Sequence, residues 1–348
     1  MRGRLAVLLV LVALPASLAP AAAATRPHHP AKHHKAAKKH RLLPEVRGLV
    51  TLWPVTYRAH DGTARRAWIS LPTWYGKHHD PAIPLVISPH GRGVSARANA
   101  KLWGSLPFKG AFAVISPEGA GRKLGQYSWG SLGQIDDLSR MPQIARLTLP
   151  WLHVDARRVY AVGGSMGGQE TLLLLARFPR LLAGAAAFDS VTDLARQYRS
   201  FPRIPCKHGC KAWDGNLGRE LQALARQEIG GTPKTRPLAY AVRSPITYAR
   251  AIAASCVPLQ LWWSVQDRIV VDQTRQSGAL YRKIKELNPK EPVQAYVGYW
   301  SHSAEMQAKR RLPLALAQFG LLDSEEWQLA RGLHYVPAAG TCGRGSHR

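Results

Sequence analysis

Short runs dominated by apolar or β-branched residues recur along the chain, at 67–71, 85–88, 111–116, 158–162, 182–188, 259–265 and 293–297. Each is of strand length and bounded by Gly, Pro or polar residues, the pattern of strands buried on both faces. Between them lie longer stretches with apolar residues at helical spacing, at 132–152, 167–178, 273–287 and 304–319. Pro179 stops the second of these. Strand and helix in alternation predict an α/β fold with a mostly parallel central sheet and helices on both faces. The interval 193–249 breaks the rhythm with Pro202, Pro205, a Gly230-Gly231 pair and a short helical pattern at 217–227. It reads as an insertion before the strand at 259–265, lying over the sheet edge as a lid or as one wall of a pocket. Ligand sites in open α/β sheets gather at the carboxyl ends of the strands.

The first 24 residues fall outside this pattern. Arg2 and Arg4 precede the apolar run 5–14, and Ala22, Ala23 and Ala24 end the segment. The run is about half the ~20 residues a membrane span needs, and its flanks are those of a cleaved signal peptide. The segment 25–47 is rich in Lys, Arg and His, which cannot build a core and predicts disorder. A domain at 48–335 and a tail at 336–348 complete the division. The chain carries 48 Lys and Arg against 21 Asp and Glu, a net charge of +27, and only 9 of those cations lie in the first 50 residues. The folded part is therefore basic too, which suits contact with an anionic cell-wall polymer or membrane surface. No nucleic-acid recognition motif accompanies the charge, and the chain is expected to be secreted, extracellular or cell-wall associated.

Export changes the reading of the four cysteines, Cys206, Cys210, Cys256 and Cys342. An oxidising compartment favours disulfides, and four cysteines allow three pairings. The local pair Cys206 with Cys210 leaves Cys256 to join Cys342. A zinc site on Cys206, His208 and Cys210 lacks a second ligand pair at suitable spacing, so no metal is expected.

The candidate chemistry starts where the strand 158–162 runs into Gly163-Gly164-Ser165-Met166-Gly167-Gly168 and then a Leu-rich helix. A G-x-S-x-G between strand and helix is a nucleophile elbow, with Ser165 at a helix N-terminus. A serine hydroxyl needs a base to take its proton and an acid to orient that base. His302 follows the last of the seven predicted strands, whereas His208 lies in the insertion and His334 near the C-terminus. Asp267 follows the strand 259–265. Asp272 is the nearby alternative and reads as a helix cap, and Asp189 follows the preceding strand, a position some proteins of this kind use. Pro89-His90-Gly91-Arg92-Gly93 after the strand 85–88 supplies an oxyanion loop. The backbone N–H of Arg92, or of Gly91 beside it, is one expected donor and that of Met166 the other. His90, Gly91 and Gly93 support the loop.

With these residues the chain resembles the α/β-hydrolase superfamily, and within it secreted esterases related to the catalytic domain of the prolyl oligopeptidase family. Three further stretches carry the likeness: Val154 to Tyr160 before the elbow, Glu228 to Pro233, and Arg243-Ser244-Pro245 after it. The resemblance implies a serine hydrolase acting through an acyl-enzyme without a cofactor, on a small or polymeric ester. Family peptidases place a β-propeller before the hydrolase domain and lack the cysteine-bearing insertion, so an esterase is expected ahead of a peptidase. An acyltransferase uses the same groups, and a non-catalytic surface protein would have lost one of them.

Overall fold

The seven apolar runs are seven of the ten strands in a single sheet, in a computed structural model that describes residues 43–121, 127–204, 217–323, 333–338 and 342. The expected signal peptide, most of the basic tail, Cys206, His208 and Cys210 and most of the C-terminal tail lie outside the described residues. The strands are β1 (Glu45–Arg47), β2 (Val50–Arg58), β3 (Ala64–Pro72), β4 (Ile83–Ile87), β5 (Ala113–Pro117), β6 (Val154–Gly164), β7 (Gly184–Phe188), β8 (Leu259–Ser264), β9 (Val293–Gly298) and β10 (His334–Val336). Their order is β1-β2-β3-β5-β4-β6-β7-β8-β9-β10. The six strands from β5 to β9 are parallel, and β1, β2 and β3 on one side and β10 on the other are antiparallel.

Alternation along each inner strand feeds two cores. Leu85, Ile87, Ala161, Ala187 and Leu261 face one side of the sheet, and Val86, Val162, Ala186, Phe188 and Trp262 the other. An aromatic ladder fixes the register of the later strands. Phe188 stacks on Trp262, Trp262 on Tyr296 with ring centroids 3.7 Å apart, and Tyr296 on Tyr335 of β10. These are cross-strand neighbours, so a slip of one residue would break every stack.

The helices are α1 (Ala96–Leu102), α2 (Leu106–Lys109), α3 (Leu132–Ser139), α4 (Met141–Thr148), α5 (Met166–Arg177), α6 (Leu194–Ser200), α7 (Leu217–Ile229), α8 (Pro237–Ala241), α9 (Ala249–Ala253), α10 (Ser277–Leu287) and α11 (Leu312–Ala317). Several expectations are corrected here. The helix at 132–152 is two helices, divided at Arg140 because Pro142 fits only a first turn. The helix at 304–319 shrinks to α11, started at Leu312-Pro313, and turns precede it. The pattern at 273–287 begins as a 3-10 turn at Gln273–Arg275 before α10. β1 lies inside the segment expected to be disordered. β2 escapes a pattern search because of Pro54, which the sheet tolerates since β1 pairs only with Val50 to Leu52 and leaves that stretch an edge on one side.

The insertion is not at a sheet edge. It joins β7 to β8, which are neighbours in the middle of the parallel part, so α6, α7 and α8 stand over the carboxyl ends of central strands. No helix among the described residues is long and apolar enough to cross a membrane.

The expected bridge between Cys256 and Cys342 is not formed, and both are free thiols. They lie before β8 and beyond β10, and Cys342 Sγ donates to a Glu291 carboxylate oxygen at 3.5 Å while accepting from Asn288 at 3.7 Å. A sulfur–sulfur bond needs an approach to about 2.05 Å. Burial, with Cys256 and Glu291 beside it, pushes the Cys342 thiol up to about 12. The sulfurs and a Glu291 oxygen lie within 4.8 Å of one another, which by ligand type could hold a metal. This group sits near the amino ends of β8 and β9, the opposite end of the sheet from Ser165.

Candidate active site

Ser165 joins β6 to α5 with φ 57° and ψ −123°, a left-handed conformation that costs a residue with a Cβ about 1–3 kcal/mol. A neighbouring strand and its own helix hold it there: its N–H donates to Phe188 O of β7 at 2.8 Å, and its carbonyl accepts from Gln169 N of α5 at 3.0 Å. The flanking glycines are needed for contact. A Cβ at Gly163 would overlap the Gly167 carbonyl, and one at Gly167 the Pro89 carbonyl. The serine is thus presented at the carboxyl end of the sheet, beside the first turn of α5.

Asp267 and His302 come together in the loops after β8 and β9. His302 Nδ1 bonds Asp267 Oδ2 at 2.8 Å, and the aspartate side chain is wholly buried. Four donors hold that carboxylate. Oδ1 accepts from Ile269 N at 2.8 Å and Val270 N at 3.0 Å, and Oδ2 accepts from Gln273 Nε2 at 3.1 Å besides the imidazole. Burial by itself would lower the His302 pKa. The charge and hydrogen bond of Asp267, with the charge of Asp189, outweigh it against the opposing Arg92 and hold the imidazole above its ordinary 6.5.

The two alternative acids have other places. Asp272 is on the surface at φ 67° and pairs with Arg275 at 3.3 Å, and its side chain caps no helix, contrary to expectation. Asp189 is buried at the end of β7, at φ 45°, and bonds no ring nitrogen of His302. It accepts instead from Ser264 N, Trp300 Nε1 and Ser303 N, each at 2.8 Å.

The loop after β4 brings Gly91 and Arg92 to the same place. His90 is buried, its Nε2 accepting from Gly119 N at 2.8 Å, so Nδ1 carries the proton and donates to Gly91 O at 2.8 Å. Burial, partly offset by that bond and by Glu118, holds the His90 pKa below its usual value, as a fixed neutral strut requires. Gly93 closes the turn at φ 70°. Met166 opens α5, where a first-turn N–H has no acceptor within the helix.

Gly91, Arg92, Ser165, Met166 and His302 line one cavity of about 310 Å³. Much of its wall is apolar, with Trp129, Val191, Phe201, Leu221, Ile269 and Val270 beside the polar Asn99, Gln197 and Gln307, and Phe201 and Leu221 come from the insertion. Arg92 is the one formally charged lining side chain among the described residues, and no Asp or Glu lines the cavity there. Arg268, next to Asp267, is exposed and does not line the cavity. Glu118 faces a second groove, with Oε2 accepting from Ala96 N at 3.0 Å. Sequence reasoning missed Gln273 and most of the apolar wall. Trp129 and Val191 follow β5 and β7 at distances no local motif marks, and only proximity to strand ends could have flagged them.

No family model and no curated protein matches the chain. Solved structures do. An acylaminoacyl peptidase of Pyrococcus horikoshii is 16% identical with a TM-score of 0.55, over 80% of this chain and 43% of that one. An esterase of Pyrococcus furiosus is 16% identical with a TM-score of 0.53, over 78% of this chain and 89% of that one. Prolyl oligopeptidase B from Galerina marginata is 15% identical with a TM-score of 0.55, over 78% of this chain and 37% of that one. The chain therefore spans less than half of the two peptidases and most of the esterase. It has the α/β-hydrolase fold.

Proposed function

We propose that this chain is a secreted serine hydrolase that cleaves short acyl esters through an acyl-enzyme on Ser165. The observation that carries the reading is the shared cavity: Ser165 on its strained turn and His302, its Nδ1 taken by buried Asp267, both line it. With Nδ1 engaged, His302 Nε2 is left to take the Ser165 hydroxyl proton as Oγ attacks the ester carbonyl. The oxyanion receives hydrogen bonds from the N–H groups of Arg92 and Met166. His302 then returns the proton to the departing alkoxide, leaving an acyl-serine. Water, deprotonated by the same imidazole, releases the acid and restores the hydroxyl.

The lining supports an ester ahead of a peptide. An exopeptidase needs an acidic anchor for a free amine, and the described lining offers Arg92 instead. The cavity volume is near the lower end of the ~300–1,000 Å³ usual for small-molecule sites. Labelling by a fluorophosphonate, followed by aryl acyl esters and peptide amides at equal concentration, tests the reading. Label on Ser165 and ester turnover far above amide turnover are expected, and amide turnover equal to or above ester turnover would replace the esterase with a peptidase.

Phe201 and Leu221 make the insertion the limit on acyl length. Acetyl to butyryl esters are expected to be the best substrates, with turnover falling beyond them. Phe201→Ala should move the optimum toward longer chains, each methylene newly buried being worth about 0.8 kcal/mol, or roughly fourfold in kcat/KM. An aryl-ester series from two to ten carbons measures this, and an unchanged profile would remove Phe201 from the acyl pocket.

The basic segment ahead of β1 supports attachment to an anionic surface. Export also bears on the cysteines. Oxidation of the adjacent thiols Cys256 and Cys342 to a disulfide is expected in the secreted protein, read as a mass lower by about 2 Da and the loss of both maleimide-reactive groups. A closed loop of this size contributes at most about 4 to 5 kcal/mol. Two titratable thiols in protein recovered from the medium would exclude the bridge.

A further inference from the structure

Asp189 is wholly buried, and the mechanism above gives it no step. One of its oxygens, an oxygen of Asp267 and a ring nitrogen of His302 lie within 4.8 Å of one another, so a second carboxylate stands against the imidazole. Its bonds run to two loops. Oδ2 accepts both Trp300 Nε1 and Ser303 N, the groups on either side of His302, and Oδ1 accepts Ser264 N at the end of the strand that leads to Asp267. Ser264 continues the tie: its Oγ donates to Trp300 O at 2.6 Å and accepts from Trp300 N at 2.9 Å and Gln266 N at 3.0 Å. The strand carrying Asp189 lies beside β6, and its Phe188 carbonyl holds the Ser165 N–H.

We propose that Asp189 is a positioning residue for the base: a second carboxylate that clasps the His302 loop to the Asp267 loop and adds negative charge behind the imidazole. It touches neither substrate nor the reacting oxygen. A neutral polar residue there would not serve equally. All three contacts are N–H donors, so an amide would set its own N–H₂ against at least one of them. The charges facing this point are Asp267 and His302 on their two loops, with Arg92 acting on the imidazole from the oxyanion loop. Burial raises the Asp189 carboxyl to about 6, the Asp267 charge adding to this and His302 and the donors Ser264 N and Trp300 Nε1 opposing it.

The inference rests on the esterase reading, and the test separates the two. In Asp189→Asn, kcat for an aryl ester is expected to fall about 10- to 100-fold, the scale of a base displaced by a fraction of an ångström to about one, with KM within about threefold. The acid limb of kcat/KM should also move to lower pH, since one of the charges holding the His302 pKa up is gone. Trp300→Phe keeps the carboxylate and removes one donor, so it should cost kcat about three- to tenfold and leave the limb where it was. A folded Asp189→Asn enzyme with wild-type kcat, or with reduced kcat and an unmoved limb, would overturn the proposal. If Asp189→Asn does not fold, wild-type kcat in Trp300→Phe would do the same. Fluorophosphonate labelling that survives in Ser165→Ala would overturn the esterase reading itself, whatever Asp189 does.

Discussion

Ser165→Ala is expected to abolish ester turnover, by about a millionfold on the scale of nucleophile loss in a Ser-His-Asp protease. The thermal unfolding midpoint should stay close to wild type. The reason lies in what the substitution removes. The elbow is held by the Ser165 N–H on Phe188 O, by the Ser165 carbonyl on Gln169 N and by glycines at the contacts, none of which involves the hydroxyl. Alanine keeps the Cβ and therefore the same left-handed strain, so the folded state loses one cavity-facing oxygen. Steady-state kinetics on an acetyl aryl ester, with a melting curve on the same preparation, measures both. Residual activity within tenfold of wild type would mean that another nucleophile does the work.

The elbow was legible because its requirements are local. Strand, glycines, serine and helix are consecutive, and the chemistry follows from that order. The inner strands were legible because burial on both faces writes near-continuous apolar runs such as 83–87 and 184–188. β2 was not, since one partner strand covers only part of it and its sequence carries Pro54 and exposed polar positions. β1 and β10, three residues each, leave no periodic signal. In the site, Asp267 and His302 were placed by strand order, with Asp189 and Asp272 left open. What divided them is non-local: Asp189 bonds groups 75, 111 and 114 residues away, contacts that no spacing rule encodes.

Asp267→Asn gives the sharpest test of which carboxylate orients the base, and it is expected to lower kcat about ten-thousandfold, as the same change does in other Ser-His-Asp sites. The backbone N–H groups of Ile269 and Val270 both donate to Oδ1, so an asparagine keeps its carbonyl oxygen there. Its N–H₂ then takes the place of Oδ2, facing Gln273 Nε2 and His302 Nδ1. A donor now meets the imidazole, which is stable only with Nδ1 as acceptor and the proton on Nε2. That tautomer cannot receive the Ser165 proton. The pH dependence follows with a definite sign. Neutral His302 is the base, so wild-type activity is lost as pH falls through a His302 pKa held above 6.5. The same raised pKa stabilises the fold fully below the unfolded value of 6.5, and that contribution disappears as pH rises through the folded value. In Asp267→Asn the charge and bond of Asp267 are gone while burial and Arg92 still favour the neutral ring, so the acid limb of the residual activity should move to lower pH. Comparing kcat and limb position in Asp267→Asn and Asp189→Asn decides the assignment. A larger loss and a larger shift in Asp189→Asn would make Asp189 the orienting acid and Asp267 the support.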